Sequence, residues 1–248
     1  MRESSVTARG GTPMAKGVVA ILWKDLLAEW RSRERLGPMV VFVFLVILVF
    51  NFSFELGGSA LHEIGPGVLW SAFVFAGLFG LNRTFAAELD NNCLDALMLA
   101  PVSHSSLYLA KMLGNLLFLL VVELLSLPLF TLFFNLSPGL YLVPLVAVLT
   151  LGAASLASVG TLFAAMSSNS RLREFLLPLL VLPMIYPALI WAVKATAIVF
   201  EHSRPSTSGP LGAAFWPGSL TGPVSFLVVY SIVFTTLSLM LFDLVLED

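Results

Sequence analysis

The chain has 248 residues, of which 58% are apolar in the broad sense and only 11% are charged, against about 25% charged in ordinary soluble domains. With a mean hydropathy of +0.95, too few polar side chains exist to cover a folded surface in water, and the composition places the chain in a lipid bilayer. A net charge of -2 without a basic face gives no support for a nucleic-acid partner, while one cysteine and three histidines exclude an internal disulfide framework, a CxxC redox pair, a Cys-based zinc site and CxxCH haem attachment.

Residues 1–17 form a polar extension that lacks the apolar core of a signal peptide. Residues 18–35 carry the pattern of an amphipathic elbow helix. Val19, Leu22, Trp23, Leu26, Leu27 and Trp30 recur at helical spacing, with Lys24, Asp25, Glu29, Arg31 and Arg33 on the other side. Tryptophans opposite basic residues suit a helix lying flat at the headgroups; the alternative is a helix packed on a soluble partner. Gly37 and Pro38 are expected to turn the chain into the bilayer.

From residue 36 to 248 the charges thin out into a transmembrane domain. Charge-free runs of 19 residues cover 36–54, 64–82 and 175–193, each about what a helix needs to cross a ~30 Å hydrocarbon layer. A run of 47 residues, 124–170, is divided by the Ser137-Pro138-Gly139 turn. Together these give six spans at about 37–54, 65–83, 107–134, 140–166, 175–200 and 223–244. The fold class is therefore an all-α integral membrane protein, six transmembrane helices preceded by an interfacial elbow helix.

Between the second and third spans, residues 84–106 form the longest connection on the basic side. Leu94, Leu97 and Met98 fall on one face of a short helix, Asp90 and Asp95 on others, and Pro101 ends it. Such a helix either docks into a groove on a cytoplasmic partner or is a second interfacial helix. In the third span Glu123 lies 12 residues beyond Lys111, ~18 Å into the membrane by helical rise. A carboxylate there costs several kcal/mol unless neutral, paired or hydrated. Lys111, Asn115, Glu123 and Ser126 share one stripe, which should face protein or a cavity. Glu123 either lines a pathway, or couples to span movement, or is a neutral acid bonded to a neighbouring helix. Lys194 is too far along the fifth span to pair with it and is expected to snorkel outward.

In the fourth span, Ala153, Ala157 and Thr161 form a small-residue ridge for close helix packing, within the bundle or across a dimer. Pro178, Pro183 and Pro187 should bend the fifth. The outer loop that follows, 201–222, is rich in Pro, Gly and Ser. Six spans put both termini on one side with Arg83, Lys111, Arg171 and Arg173. That side collects 11 basic residues against Arg204 alone on the other, so both termini are expected in the cytoplasm and the chain in the inner membrane.

The stretch Asp25-Leu26-Leu27-Ala28-Glu29-Trp30-Arg31-Ser32-Arg33-Glu34-Arg35-Leu36, the block from Ala87 to Pro101 and the segment Ser106-Leu107-Tyr108-Leu109-Ala110-Lys111 resemble the CcmB family. These are permease subunits of the haem exporter-type ABC transporter in cytochrome c maturation. The similarity runs from about Val18 to the end; the polar extension and the long outer loop depart from it. The resemblance implies an ABC-2-exporter-like permease half without its motor, and the chain lacks a GxxxxGK[ST] motif. A separate cytoplasmic ABC ATPase would supply ATP hydrolysis by pushing on a coupling helix, for which Glu88, Asp90, Leu94, Asp95, Leu97 and Met98 are the matching residues. Two permease copies would pair with two ATPases, beside a membrane partner that handles haem. This chain is then not itself an enzyme, holds no cofactor of its own, and has haem as its candidate substrate. Imidazole is a common haem ligand, which makes His62 and His202, both on the outer side, weak candidates. Within this reading the complex either exports haem or releases a haem chaperone; the competing readings are an ABC-2-type permease for another lipid-like substrate and a non-transporting membrane scaffold.

Overall fold

The computed structural model describes residues 14–53, 59–85, 103–134, 139–168, 170, 172–203 and 216–247. Among them the long elements are all helices: α1 (Met14–Ser32), α2 (Leu36–Ser53), α3 (Ser59–Asn82), α4 (His104–Phe134), α5 (Leu142–Ser168), α6 (Arg173–His202) and α7 (Thr221–Glu247). Short 3-10 turns at Gly139–Tyr141 and Gly218–Leu220 lead into α5 and α7. Six helices, α2 to α7, are long and apolar enough to cross a membrane. In hydrocarbon each backbone N–H must find its partner within its own segment, and helices meet that demand. The chain is a multi-pass membrane protein.

Local chemistry sets the ends of these helices. At α4, Ser103 caps the first turn by accepting the Ser106 N–H on its Oγ at 3.3 Å, and the helix begins at His104. The turn between α1 and α2 falls earlier than Gly37-Pro38. Arg33 adopts φ 54°, and its N–H donates to the Glu29 carbonyl at 2.8 Å, the left-handed closure of a helix C-terminus. Gly37 and Pro38 instead lie in the first turn of α2, where a missing N–H costs nothing.

At the centre, α3, α4 and α5 pack on one another; α2 covers α3 and α4, α6 covers α3 and α5, and α7 covers α5 and α4. The small-residue ridge of α5 is used inside this bundle. Ala153, Ala157 and Thr161 are all buried, and a Cβ on Gly152 would sit 2.0 Å from the Trp70 ring. Only the bare backbone there lets the indole of α3 lie against α5. Trp70 Nε1 in turn donates to Thr196 Oγ1 of α6 at 2.8 Å. At the opposite end from α1, the Asn51 side-chain amide donates to the Phe133 carbonyl, tying α2 to the last turn of α4. Pro178, Pro183 and Pro187 lie within the span of α6 without dividing it.

α1 is amphipathic in the expected register, yet its apolar stripe is not its buried face. Trp23 and Trp30 are 67% and 79% exposed, whereas Gly17, Ile21, Asp25 and Glu29, four residues apart in turn, are buried against α4. Lipid surrounds the bundle, so the apolar side of α1 faces outward and the carboxylates face protein. That inversion creates the site described next.

Candidate functional site

Lys111, in the second turn of α4, is 1% exposed, and a buried ammonium needs partners. Its Nζ lies 3.0 Å from Asp25 Oδ2 of α1, donates to the Thr84 carbonyl at 3.1 Å and sits 5.5 Å from the centre of the Phe85 ring. Thr84 stands just past the end of α3, where backbone carbonyls have no helical partner and a cation is favoured. The Thr84 hydroxyl donates to Asn115 Oδ1 at 3.0 Å, and Asn115 Nδ2 donates to Thr161 Oγ1 of α5 at 2.9 Å. One polar chain therefore runs from α1 through α4 and the end of α3 to α5.

A second carboxylate locks the corner above it. Glu29 Oε1 accepts the N–H groups of Arg35 and Leu36 at 2.9 Å each, placing an anion at the start of α2 where the helix dipole favours it. Arg35 Nη2 reaches the same Thr84 carbonyl at 3.4 Å, and its guanidinium lies 5.5 Å from the Phe118 ring centre. The described residues on either side of 86–102 are Phe85 and Ser103, and three residues beyond Ser103 the Ser106 Oγ donates to the Met14 carbonyl at 3.5 Å. The second junction therefore touches α1 directly, and the first reaches it through Lys111 and its partner Asp25.

All four residues of the α4 stripe face protein, since Lys111, Asn115, Glu123 and Ser126 are each buried. They divide into two places. Asn115 belongs to the network with Lys111, and Ser126 donates back to the Val122 carbonyl of its own helix at 2.6 Å. Glu123 stands apart among the described residues. It lines a cavity of ≈ 10 Å³ with Trp70, Phe73, Gly152, Ile185 and Ala192, room for about one water molecule, and its Oε2 has no hydrogen-bond partner there. The walls come from the middle thirds of α3, α5 and α6. Lys194 does not approach Glu123: it is exposed and its Nζ lies 4.9 Å from the Trp191 ring centre.

Glu88, Asp90, Leu94, Asp95, Leu97 and Met98 lie outside the described residues. His62 falls in the first turn of α3, its side chain likewise outside them. His202, at the end of α6, holds Nδ1 at 2.9 Å from the Ile198 carbonyl and meets the Tyr141 ring edge-on. No group of three or more His, Cys, Asp or Glu side chains able to hold a metal occurs among the described residues. Sequence reasoning missed Thr84, and it read Asp25 and Glu29 only as the polar side of the elbow helix and Thr161 only as part of the packing ridge. The one available signal was the spacing of Gly17, Ile21, Asp25 and Glu29, a second helical face beside the apolar one.

Six membrane-crossing helices wrapped around a buried polar chain define an all-α integral membrane protein of the permease class. The family described as CcmB protein matches residues 16–221, from α1 to the first residue of α7. The chain is 34% identical over 189 residues to heme exporter protein B of Paracoccus denitrificans, covering 76% of this chain and 86% of that one. To heme exporter protein B of Rhodobacter capsulatus it is 31% identical over 175 residues (71% and 80%), and to that of Pseudomonas aeruginosa 30% over 191 (77% and 82%). The chain belongs to the CcmB family.

Proposed function

We propose that this chain is the membrane permease subunit of an ATP-driven haem exporter complex serving cytochrome c maturation. A separate cytoplasmic ABC ATPase energises it, docking on residues 84–106. Membership of the CcmB family, with relatives named heme exporter protein B, supports the cargo assignment. The observation that carries the mechanism is Lys111, whose ammonium grips the carbonyl at one junction of that segment while its own helix begins at the other. A push on residues 86–102 would displace Thr84 and α4 together. Through Asp25, Asn115 and Thr161 the movement would pass to α1 and α5. Glu88, Asp90, Leu94, Asp95, Leu97 and Met98 are the docking residues in this reading, the assembly has two permeases and two ATPases, and a haem-handling membrane protein completes it.

The test is co-purification with the ATPase. Changing Leu94, Leu97 and Met98 together to Asp is expected to abolish complex formation and stimulated ATP turnover; ATPase binding equal to that of the parent chain would defeat the docking assignment and leave the scaffold reading. Orientation has its own measurement. Cys93 is the only cysteine, so a membrane-impermeant maleimide is expected to label inside-out vesicles and not right-side-out cells, and the reverse pattern would invert the topology.

A further inference from the structure

At the α1 end of the bundle, a groove of ≈ 610 Å³ opens on the outer face of α3, between the start of α2 and the start of α6. Its floor is aromatic: Phe75 and Phe79 of α3 are 47% and 46% exposed, and Phe175 on the α6 side is 76% exposed. Five charged side chains line it, of which Arg35 is already held by Glu29 and the Thr84 carbonyl. Arg83 and Glu34 form a loose pair, Nη1 to Oε2 at 3.7 Å, with both side chains more than half exposed. Arg173 and Glu174, in the first turn of α6, make no ion pair among the described residues.

Phenyl rings beside charges of both signs, Arg83 and Glu34 loosely paired and Arg173 and Glu174 without an ion pair among the described residues, describe an amphiphile whose polar part carries an anion and a cation together. A phosphate suits the guanidiniums. A primary ammonium suits Glu174 and Glu34, because it donates hydrogen bonds that a quaternary ammonium lacks. An anionic headgroup without an amine would leave both carboxylates facing it, and basic pockets between spans are the usual seat of lipid headgroups at this level. We propose that this groove binds a phosphatidylethanolamine-class lipid, phosphate on Arg173 and Arg83, ammonium on Glu174 and Glu34, one acyl chain over Phe75 and Phe79. The site is independent of the cargo that the complex carries.

The full chain is placed in nanodiscs of equimolar phosphatidylethanolamine, phosphatidylglycerol and phosphatidylcholine, extracted gently, and its retained lipid counted by mass spectrometry. Phosphatidylethanolamine is expected to be enriched about fivefold over its bulk fraction, the ratio that an exposed charge pair supplies. Glu174→Gln should remove the preference for the amine lipid, Arg173→Gln should lower retention of all three, and Arg31→Gln, exposed and outside the groove, should change neither. In vesicles, a Phe175→Trp variant is expected to be quenched more by brominated phosphatidylethanolamine than by brominated phosphatidylcholine, a readout that needs no charge removed. Equal retention of the three lipids, enrichment of phosphatidylglycerol instead, or equal quenching overturns the proposal.

Discussion

Asp25→Leu is expected to destabilise the bundle by about 3–5 kcal/mol, the cost of breaking a buried ion pair from one side. The magnitude follows from what stays behind. Lys111 is 1% exposed, and the change removes the carboxylate that lies 3.0 Å from its ammonium. The converse change is milder. In Lys111→Met the Asp25 carboxylate retains Lys24, whose Nζ is 3.2 Å from Oδ1 and whose side chain is 54% exposed, so water and a cation remain at hand and a loss of about 1–3 kcal/mol is expected. The double variant Asp25→Leu with Lys111→Met should recover most of the stability, since replacing both members of a buried pair by apolar groups is often neutral or better. Thermal unfolding of the three variants in detergent checks the order. If the single losses simply add in the double variant, the two residues are not partners.

The double variant also separates holding from transmitting. It is expected to fold, yet to uncouple the ATPase, because Thr84 would no longer be gripped from α4 by a charge. Intact coupling in a well-folded double variant would mean that movement of residues 86–102 reaches the spans by another route.

Much of the architecture was legible because hydrocarbon tolerates charge so poorly. Charge-free runs locate the spans, and Glu123 is singled out by depth alone. The helix ends moved where a side chain dictated it, as Ser103 does at α4 and the left-handed Arg33 does ahead of α2. What the sequence hides is what the other side of α1 meets. The Trp23 and Trp30 side reads as one for the headgroups and is exposed, whereas Asp25 and Glu29, which read as a polar face, are buried against α4. Lys111 of α4 accounts for Asp25, and the N–H groups of Arg35 and Leu36 account for Glu29. The partner of Asp25 nonetheless lies on another helix far along the chain, and no local periodicity encodes such a contact. The polar roles of Thr84 and Thr161 are hidden for the same reason, both being ordinary hydroxyls until Asn115 stands between them.

Glu123→Leu should make the protein more stable and less active. The carboxyl sits in a cavity with apolar neighbours, one oxygen lacking any hydrogen bond among the described residues, and an unsatisfied buried polar group costs about 1–3 kcal/mol. Leucine is close in volume and carries no such cost, so a gain of about 1–2 kcal/mol is expected. A residue that lowers stability at the meeting point of α3, α4, α5 and α6, beside the Trp70 ring that links α5 to α6, has the character of a site kept for function at the expense of the fold. Transport measured as cytochrome c maturation in cells, together with ATPase stimulation in the purified complex, is expected to fall in Glu123→Leu while assembly is retained. Glu123→Gln keeps the shape and a polar contact but cannot exchange a proton; it should match Leu in activity if proton exchange is what matters and the parent chain if only a hydrogen bond is needed. A Glu123→Leu variant that is both more stable and fully active would reduce this carboxyl to a packing defect, and the moving part of the bundle would then have to be sought nearer the Lys111 network.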